Sequence, residues 1–192
     1  MRPQYLVLIA LALLAGSAGY VAQHWLQRDG ARDNGNLVDA AEVAAQPRPA
    51  EPERPLDWSF SSPDGQRQAL ANWAGKLVVL NFWATWCPPC LREIPAFIEL
   101  QQELGDDGVQ FIGIALDQAG PVEKFVAEKG VNYPVLIGDQ DVARFMVTLG
   151  NDIGALPYTV VLDKTGEVVL RHQGEWEAAA AGTALRALVE AR

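Results

Sequence analysis

Apolar residues follow three regimes along this chain. Tyr5 to Ala22 are eighteen consecutive residues without a charge, dominated by Leu, Ala, Val and Ile. Residues 24–55 have no sustained apolar period and end in a stretch with four prolines in nine residues, Pro47 to Pro55, which favours extended, solvated backbone. From Leu56 onward short apolar runs alternate with stretches of helical period, the pattern of a packed domain. Residues 60–70, interrupted by Pro63-Asp64-Gly65, predict a hairpin, and a helical turn carrying Trp73 ends at Gly75-Lys76. Residues 77–83 form a continuous apolar run of the kind buried on both faces of a sheet. The pattern then predicts a helix over 88–104, a strand over 109–115, a helix over 121–129, a short strand over 134–137 and a helix over 141–149. Strands over 158–163 and 167–172 flank the turn Lys164-Thr165-Gly166, and a helix over 175–191 closes the chain. Strands alternating with helices and closed by a hairpin imply an α/β domain, a mixed sheet with helices on both faces.

The organisation read from this pattern is an N-terminal membrane or signal segment over 1–23, a linker over 24–55 and one folded domain over 56–192. Eighteen apolar residues are close to the roughly 20 that span a bilayer as a helix. An uncleaved anchor would keep the whole stretch, with Tyr20 and Trp25 near the interface. A cleavable signal would be cut around Gly16-Ser17-Ala18, and a buried helix of a soluble protein is the third reading. Arg2 stands before the segment, while Arg28, Asp29, Arg32 and Asp33 behind it cancel, so the positive-inside bias places everything after residue 24 outside the cytoplasm. No cysteine follows the apolar run, which excludes lipid attachment there. The linker reads as a spacer that lifts the domain off a membrane, or as a tail with no role.

Composition changes this picture little, since 49% hydrophobic and 20% charged residues suit an ordinary globular core. Charge excludes more. Residues 56–192 carry 18 Asp/Glu against 10 Lys/Arg, a net −8 that repels phosphate and argues against a nucleic-acid partner.

The candidate chemistry lies in Trp86-Cys87-Pro88-Pro89-Cys90, which holds the only two cysteines of the chain. A lone Cys-x-x-Cys between an apolar strand and a helical pattern suits reversible disulfide chemistry. Cys87 falls where the strand ends, and Pro88 suits the first helical position because its missing N–H would be unpaired there anyway. The helix end favours a thiolate at Cys87, the expected nucleophile, and Cys90 three residues on is placed to resolve a mixed disulfide. Zinc is disfavoured because the only histidines, His24 and His172, form no ligand spacing with the cysteines. A structural disulfide closing so short a loop would remove little chain entropy.

Asn81-Phe82-Trp83-Ala84-Thr85-Trp86-Cys87-Pro88-Pro89-Cys90, then Glu93 and Pro95, and later Leu156-Pro157-Tyr158-Thr159, resemble the membrane-anchored TlpA/ResA-type thiol-disulfide oxidoreductases of the thioredoxin superfamily. The likeness runs from about Leu56 to Arg192. It implies a thioredoxin fold with an N-terminal β-hairpin extension, and a cis peptide before Pro157 whose loop lies against the cysteines. It also implies a groove for substrate, for which Trp86, Pro88, Pro89, Leu156 and Tyr158 are the candidates. The implied activity is extracytoplasmic reduction of disulfides in exported proteins or apocytochrome c, with no cofactor beyond the Cys87–Cys90 pair. Electrons would come from a transmembrane thiol donor, because the periplasm is kept oxidising. The expected location is the bacterial inner membrane, with the domain facing the periplasm or cell exterior, or the periplasm itself after signal cleavage.

Glu93 matches the acidic residue of the reductases that the chain resembles. On the cysteine face it would disfavour thiolates and relay protons; alternatively it is a solvated helix-surface glutamate. Asn81 replaces the buried aspartate of ordinary thioredoxin and cannot serve as the proton acceptor. Trp86 is expected at an exposed rim, Trp83 in the core, Pro95 as a bend in the first helix, and His172 as a structural residue without a visible partner. The same cysteines would serve an oxidase or isomerase, or a non-enzymatic Cu(I) carrier. A peroxidase is less favoured because Ala84 stands where that branch wants Thr or Ser.

Overall fold

The computed structural model describes residues 54–191. The 1–23 segment and nearly all of the 24–55 linker lie outside the described residues. Among the described residues no helix is long and apolar enough to cross a membrane.

Seven strands form one sheet in the order β2-β1-β5-β4-β3-β6-β7. They are β1 (Ser59–Ser61), β2 (Arg67–Ala69), β3 (Leu77–Trp83), β4 (Val109–Leu116), β5 (Val135–Gly138), β6 (Tyr158–Leu162) and β7 (Val168–Gln173). Four helices join them: α1 (Pro88–Leu104), α2 (Ala119–Lys129), α3 (Gln140–Thr148) and α4 (Ala178–Glu190). β3, β4 and β5 run parallel, and the hairpins β1–β2 and β6–β7 add antiparallel edges on either side. The N-terminal hairpin therefore extends the sheet, through Ser61 opposite Ile137.

β3 is the central strand and all seven of its residues are buried, as a run without polar alternation requires. Its odd residues Leu77, Val79 and Trp83 enter one apolar layer with Ile94, Phe97 and Leu185 from α1 and α4. Its even residues Val78, Leu80 and Phe82 enter a second layer with Phe60 and with Val142, Phe145 and Met146 of α3. Phe145 anchors the second layer, its ring 4.8 Å from Trp58, 5.4 Å from Phe60 and 5.7 Å from Phe82. Helices thus cover both faces. Each buried large side chain contributes roughly 1.5–3 kcal/mol of apolar transfer energy, so these two layers hold the sheet against its helices.

Two glycines are required by close approach. A Cβ on Gly113, opposite Asn81, would stand 3.0 Å from the Trp83 indole nitrogen. One on Gly166, at φ +91, would stand 2.5 Å from Leu56, so the β6–β7 turn seats the segment that enters the domain.

The last helix begins at Ala178, not at residue 175 as the sequence pattern predicts. Glu175 and Trp176 instead direct their polar groups to α1, which keeps that turn out of the helix. Pro95 is exposed inside α1, and the helix continues through it to Leu104.

Candidate active site

The C-terminal end of β3 delivers Ala84, Thr85 and Trp86 and then Cys87, which is the N-cap of α1. Pro88 and Pro89 have no N–H, so Cys90 is the first helical residue with an amide to offer toward that end. Cys87 and Cys90 are joined in a disulfide with Cα atoms 5.4 Å apart. Cys90 is fully buried, whereas Cys87 keeps a sliver of exposure beside exposed Trp86 and Pro88. Of the two residues, only Cys87 thus reaches the surface.

Trp86 is 64% exposed and forms one wall of a cleft of about 280 Å³ that Asp117 and Asp139 also line. Trp83 is buried in the first layer, tilted on Phe125 at 5.1 Å. Asp117 is not among the residues that the sequence singles out. It accepts from the Thr85 amide at 2.9 Å and the Thr85 hydroxyl at 2.6 Å, tying the approach to Cys87 to the end of β4. Burial by itself would raise the Asp117 carboxyl, but the Thr85 and Gln118 donors bring it below the usual range. Trp83 pairs with Ala115 in the parallel register, so Thr85 and Asp117 fall side by side two residues on. That register is the signal by which the pair could have been found. Removing the carboxylate in Asp117→Ala leaves a half-buried amide without its acceptor, and we expect about 1–2 kcal/mol of destabilisation in urea unfolding. A change under roughly 0.5 kcal/mol would show that the tether is inert.

The Leu156–Pro157 peptide is cis. Tyr158 pairs with Phe82, so Pro157 stands at the level of Trp83, at the sheet end from which the Cys87 loop leaves. Leu156 is half-buried and touches both apolar layers. Tyr158 departs from its expected place. Strand alternation turns its ring into the second layer beside Phe82, where it is buried and its hydroxyl donates to the Leu149 carbonyl at 2.7 Å. It presents no side chain to a groove. Pro88 is exposed and Pro89 half-buried at the start of α1.

Glu93 is 2% exposed, which removes the solvated reading of this residue. Its helical position, three residues after Cys90 and one before Ile94, turns it inward beneath the disulfide end of α1. Asn81 Nδ2 donates to one carboxylate oxygen at 2.7 Å and the Trp176 amide donates to the other at 2.8 Å. The Glu93 carboxyl is raised to about 7, mainly by burial; the Trp176 and Asn81 donors work against the rise and the Glu175 charge adds to it. Burial and the Glu93 charge also raise the Tyr133 phenol. Asn81 Nδ2 also reaches Thr159 Oγ1 at 3.2 Å, while its Oδ1 is buried without a partner among the described residues. An amide suits either state of its neighbour: Nδ2 donates to a carboxylate, and the amide turned by 180° presents Oδ1 to a carboxylic acid.

His172 has partners that sequence did not reveal. Its ring stacks on Trp176 at 5.1 Å and 17°, and Nε2 lies 3.3 Å from the Glu175 carbonyl oxygen.

With this geometry in view, comparison with known proteins is decisive, for the sequence model of the Redoxin family matches residues 52–185. The chain belongs to the Redoxin family. This Redoxin domain is similar to the thiol-disulfide oxidoreductase ResA of Geobacillus kaustophilus, 36% identical over 113 residues, which are 58% of this chain and 63% of that protein. ResA of Halalkalibacterium halodurans is 32% identical over 123 residues, 64% of this chain and 68% of that protein. The chain thus spans somewhat under two thirds of the length of the first of these relatives. Among solved structures, a thiol:disulfide interchange protein of the thioredoxin family from Chlorobium tepidum superposes with a TM-score of 0.65 at 28% identity, covering 74% of this chain and 99% of that one. The Redoxin domain therefore has a thioredoxin-like fold, and the TlpA/ResA resemblance drawn from its motifs holds.

Proposed function

We propose that this protein is a thiol-disulfide oxidoreductase that works outside the cytoplasm and reduces disulfides of exported proteins or apocytochrome c. The observation that carries the reading is a disulfide between a marginally exposed Cys87 and a fully buried Cys90, with a buried acid of raised proton affinity on the same helix.

In the forward reaction the Cys87 thiolate attacks one sulfur of the partner disulfide, and the partner's other sulfur leaves as a thiolate that takes a proton. Cys90 then loses its proton and attacks the Cys87 sulfur. The Cys87–Cys90 disulfide forms, and the partner leaves with both its sulfurs reduced. Two electrons and two protons pass to the partner. Glu93 is the buried group suited to take the Cys90 proton, because a carboxyl near 7 exchanges protons at neutral pH. As a carboxylate it also disfavours a second negative charge on the cysteines, which favours the disulfide over the thiolates and makes the protein the stronger reductant.

Regeneration needs two electrons from a thiol donor that crosses the membrane, and the 1–23 segment would hold the domain beside it. The equilibrium reduction potential of the full-length protein in glutathione and dithiothreitol buffers tests the direction. A value near the thioredoxin range of about −270 mV is expected; one near −120 mV would make the protein an oxidant instead. Absence of any reversible Cys87–Cys90 couple would overturn the enzymatic reading.

A further inference from the structure

We propose that the Arg92–Glu175 ion pair is a positioning latch, which holds the Gly174–Trp176 turn on α1 so that the Trp176 amide stays on the Glu93 carboxylate and sets its proton affinity. The inference rests on the role given to Glu93 above and adds a control on it from outside the core.

The geometry is two adjacent rungs between the same two segments. Arg92 and Glu93 are consecutive on α1, and Glu175 and Trp176 are consecutive on the turn. The outer rung is the Arg92 guanidinium on the Glu175 carboxylate, with Nε donating to Oε1 at 3.1 Å and to Oε2 at 2.9 Å and Nη2 also donating to Oε2. The inner rung is the Trp176 amide on Glu93. The outer rung is open to solvent, with side-chain exposures of 59% and 29%, whereas Glu93 is shut away. An exposed pair thus sits one residue from a buried titrating group.

The turn has few other ties. Gly174 donates to the Pro157 carbonyl at 2.9 Å, so one end is fixed to the cis-proline. His172 stacks on the Trp176 indole, which itself lies in the first apolar layer with Phe97 at 6.5 Å. These contacts hold the ring, and His172 Nε2, 3.3 Å from the Glu175 carbonyl oxygen, holds the turn on the β7 side. Among the described residues the outer rung is the hydrogen-bonded tie, besides the Trp176 amide itself, between Glu175–Trp176 and the helix that bears Glu93. Its forked geometry fixes direction as well as distance, which a lysine in place of Arg92 would not do.

The groups around Glu93 are few enough to separate the effects. β3 contributes Asn81, and through it Thr159 of β6; the segment before β5 contributes Tyr133. The turn contributes the Trp176 amide, the more distant Glu175 charge and His172 behind the indole. α1 itself contributes Cys90 and Arg92. If Arg92 and Glu175 acted on Glu93 by charge alone, removing the cation would raise the Glu93 midpoint and removing the anion would lower it. A latch makes a different prediction. Loss of either partner frees the turn, the carboxylate loses a donor, and the midpoint rises in both variants.

The test is a titration of the Glu93 side-chain carboxyl carbon by NMR in the full-length oxidised protein, for the native chain and for Arg92→Gln, Glu175→Gln and Arg92→Lys. Both glutamine variants are expected to raise the midpoint by about half a unit or more, with the Trp176 amide proton moving upfield, and Arg92→Lys is expected to fall between. A midpoint that is lowered or unmoved in Glu175→Gln overturns the latch. The amide spectrum of each variant reports whether the domain stays folded. Because the carboxyl is observed directly, this result stands apart from the thiol chemistry. The role of Glu93 in disulfide exchange fails separately if the exchange rate shows no inflection at the Glu93 midpoint.

Discussion

Cys87→Ser is expected to lower the rate of disulfide exchange by roughly 10³-fold or more, while leaving the fold in place. A hydroxyl at this position is un-ionised at neutral pH and is no nucleophile toward sulfur. Cys90 cannot take over, because it is fully buried in the first apolar layer and has no route to a partner's disulfide. Cys90→Ser gives a different outcome: the attacking sulfur survives, one turnover proceeds, and the protein accumulates as a covalent mixed disulfide with its partner. A single-turnover assay with quenching by acid, followed by non-reducing electrophoresis, distinguishes the two variants. Accumulation of adduct by Cys87→Ser and not by Cys90→Ser would mean that the order of attack is reversed. The local structure argues against that. Cys87 caps α1 and stands beside the exposed Trp86 and Pro88, whereas Cys90 is one turn inside the helix.

The parts of the fold that sequence revealed are those governed by local rules. β3 is legible because its seven consecutive buried residues are apolar apart from Asn81, and α1 because Pro88 marks its start and Ile94, Phe97, Leu100 and Leu104 keep one face. The cysteines are legible because the chain has no others. What stayed hidden depends on register and on contacts made far along the chain. The resemblance implies a place for Tyr158 in the groove, but pairing with Phe82 decides which face its ring takes. Thr85 and Asp117 meet only because β3 and β4 are parallel neighbours. The Glu175–Trp176 turn has a helical pattern in sequence and gives it up to α1, 83 residues away. Glu93 is the most instructive case. A lone acid on a helix is ordinarily solvated, and only the arrival of Asn81 and the Trp176 amide from two other segments makes its burial tolerable.

That burial makes the stability of the fold depend on pH. The folded Glu93 carboxyl titrates at about 7, above its ordinary 4.5, so folding favours the protonated form. The stability it contributes is fully present below about 4.5 and is lost as pH rises through about 7. A difference of this size corresponds to about 3 kcal/mol in total. Glu93→Gln keeps an acceptor for the Trp176 amide and carries no charge at any pH. Its new amide would face Asn81 Nδ2, and a 180° turn of Asn81 resolves this by presenting the Oδ1 that now lacks a partner. The measurement is the difference in unfolding free energy between native protein and Glu93→Gln, from urea titrations with the disulfide intact. Below about pH 5 the two should lie close together. Through neutral pH the native protein should fall progressively below the variant, approaching the full difference by about pH 9. Asp64 and Asp163, whose carboxyls lie below the usual range because Ser62 and Thr165 donate to them, lose their contribution only in acid and equally in both proteins, so they cancel. A difference that stays flat from pH 5 to 9 would mean that the carboxylate ionises without cost, and with it would go the reason for assigning Glu93 the Cys90 proton.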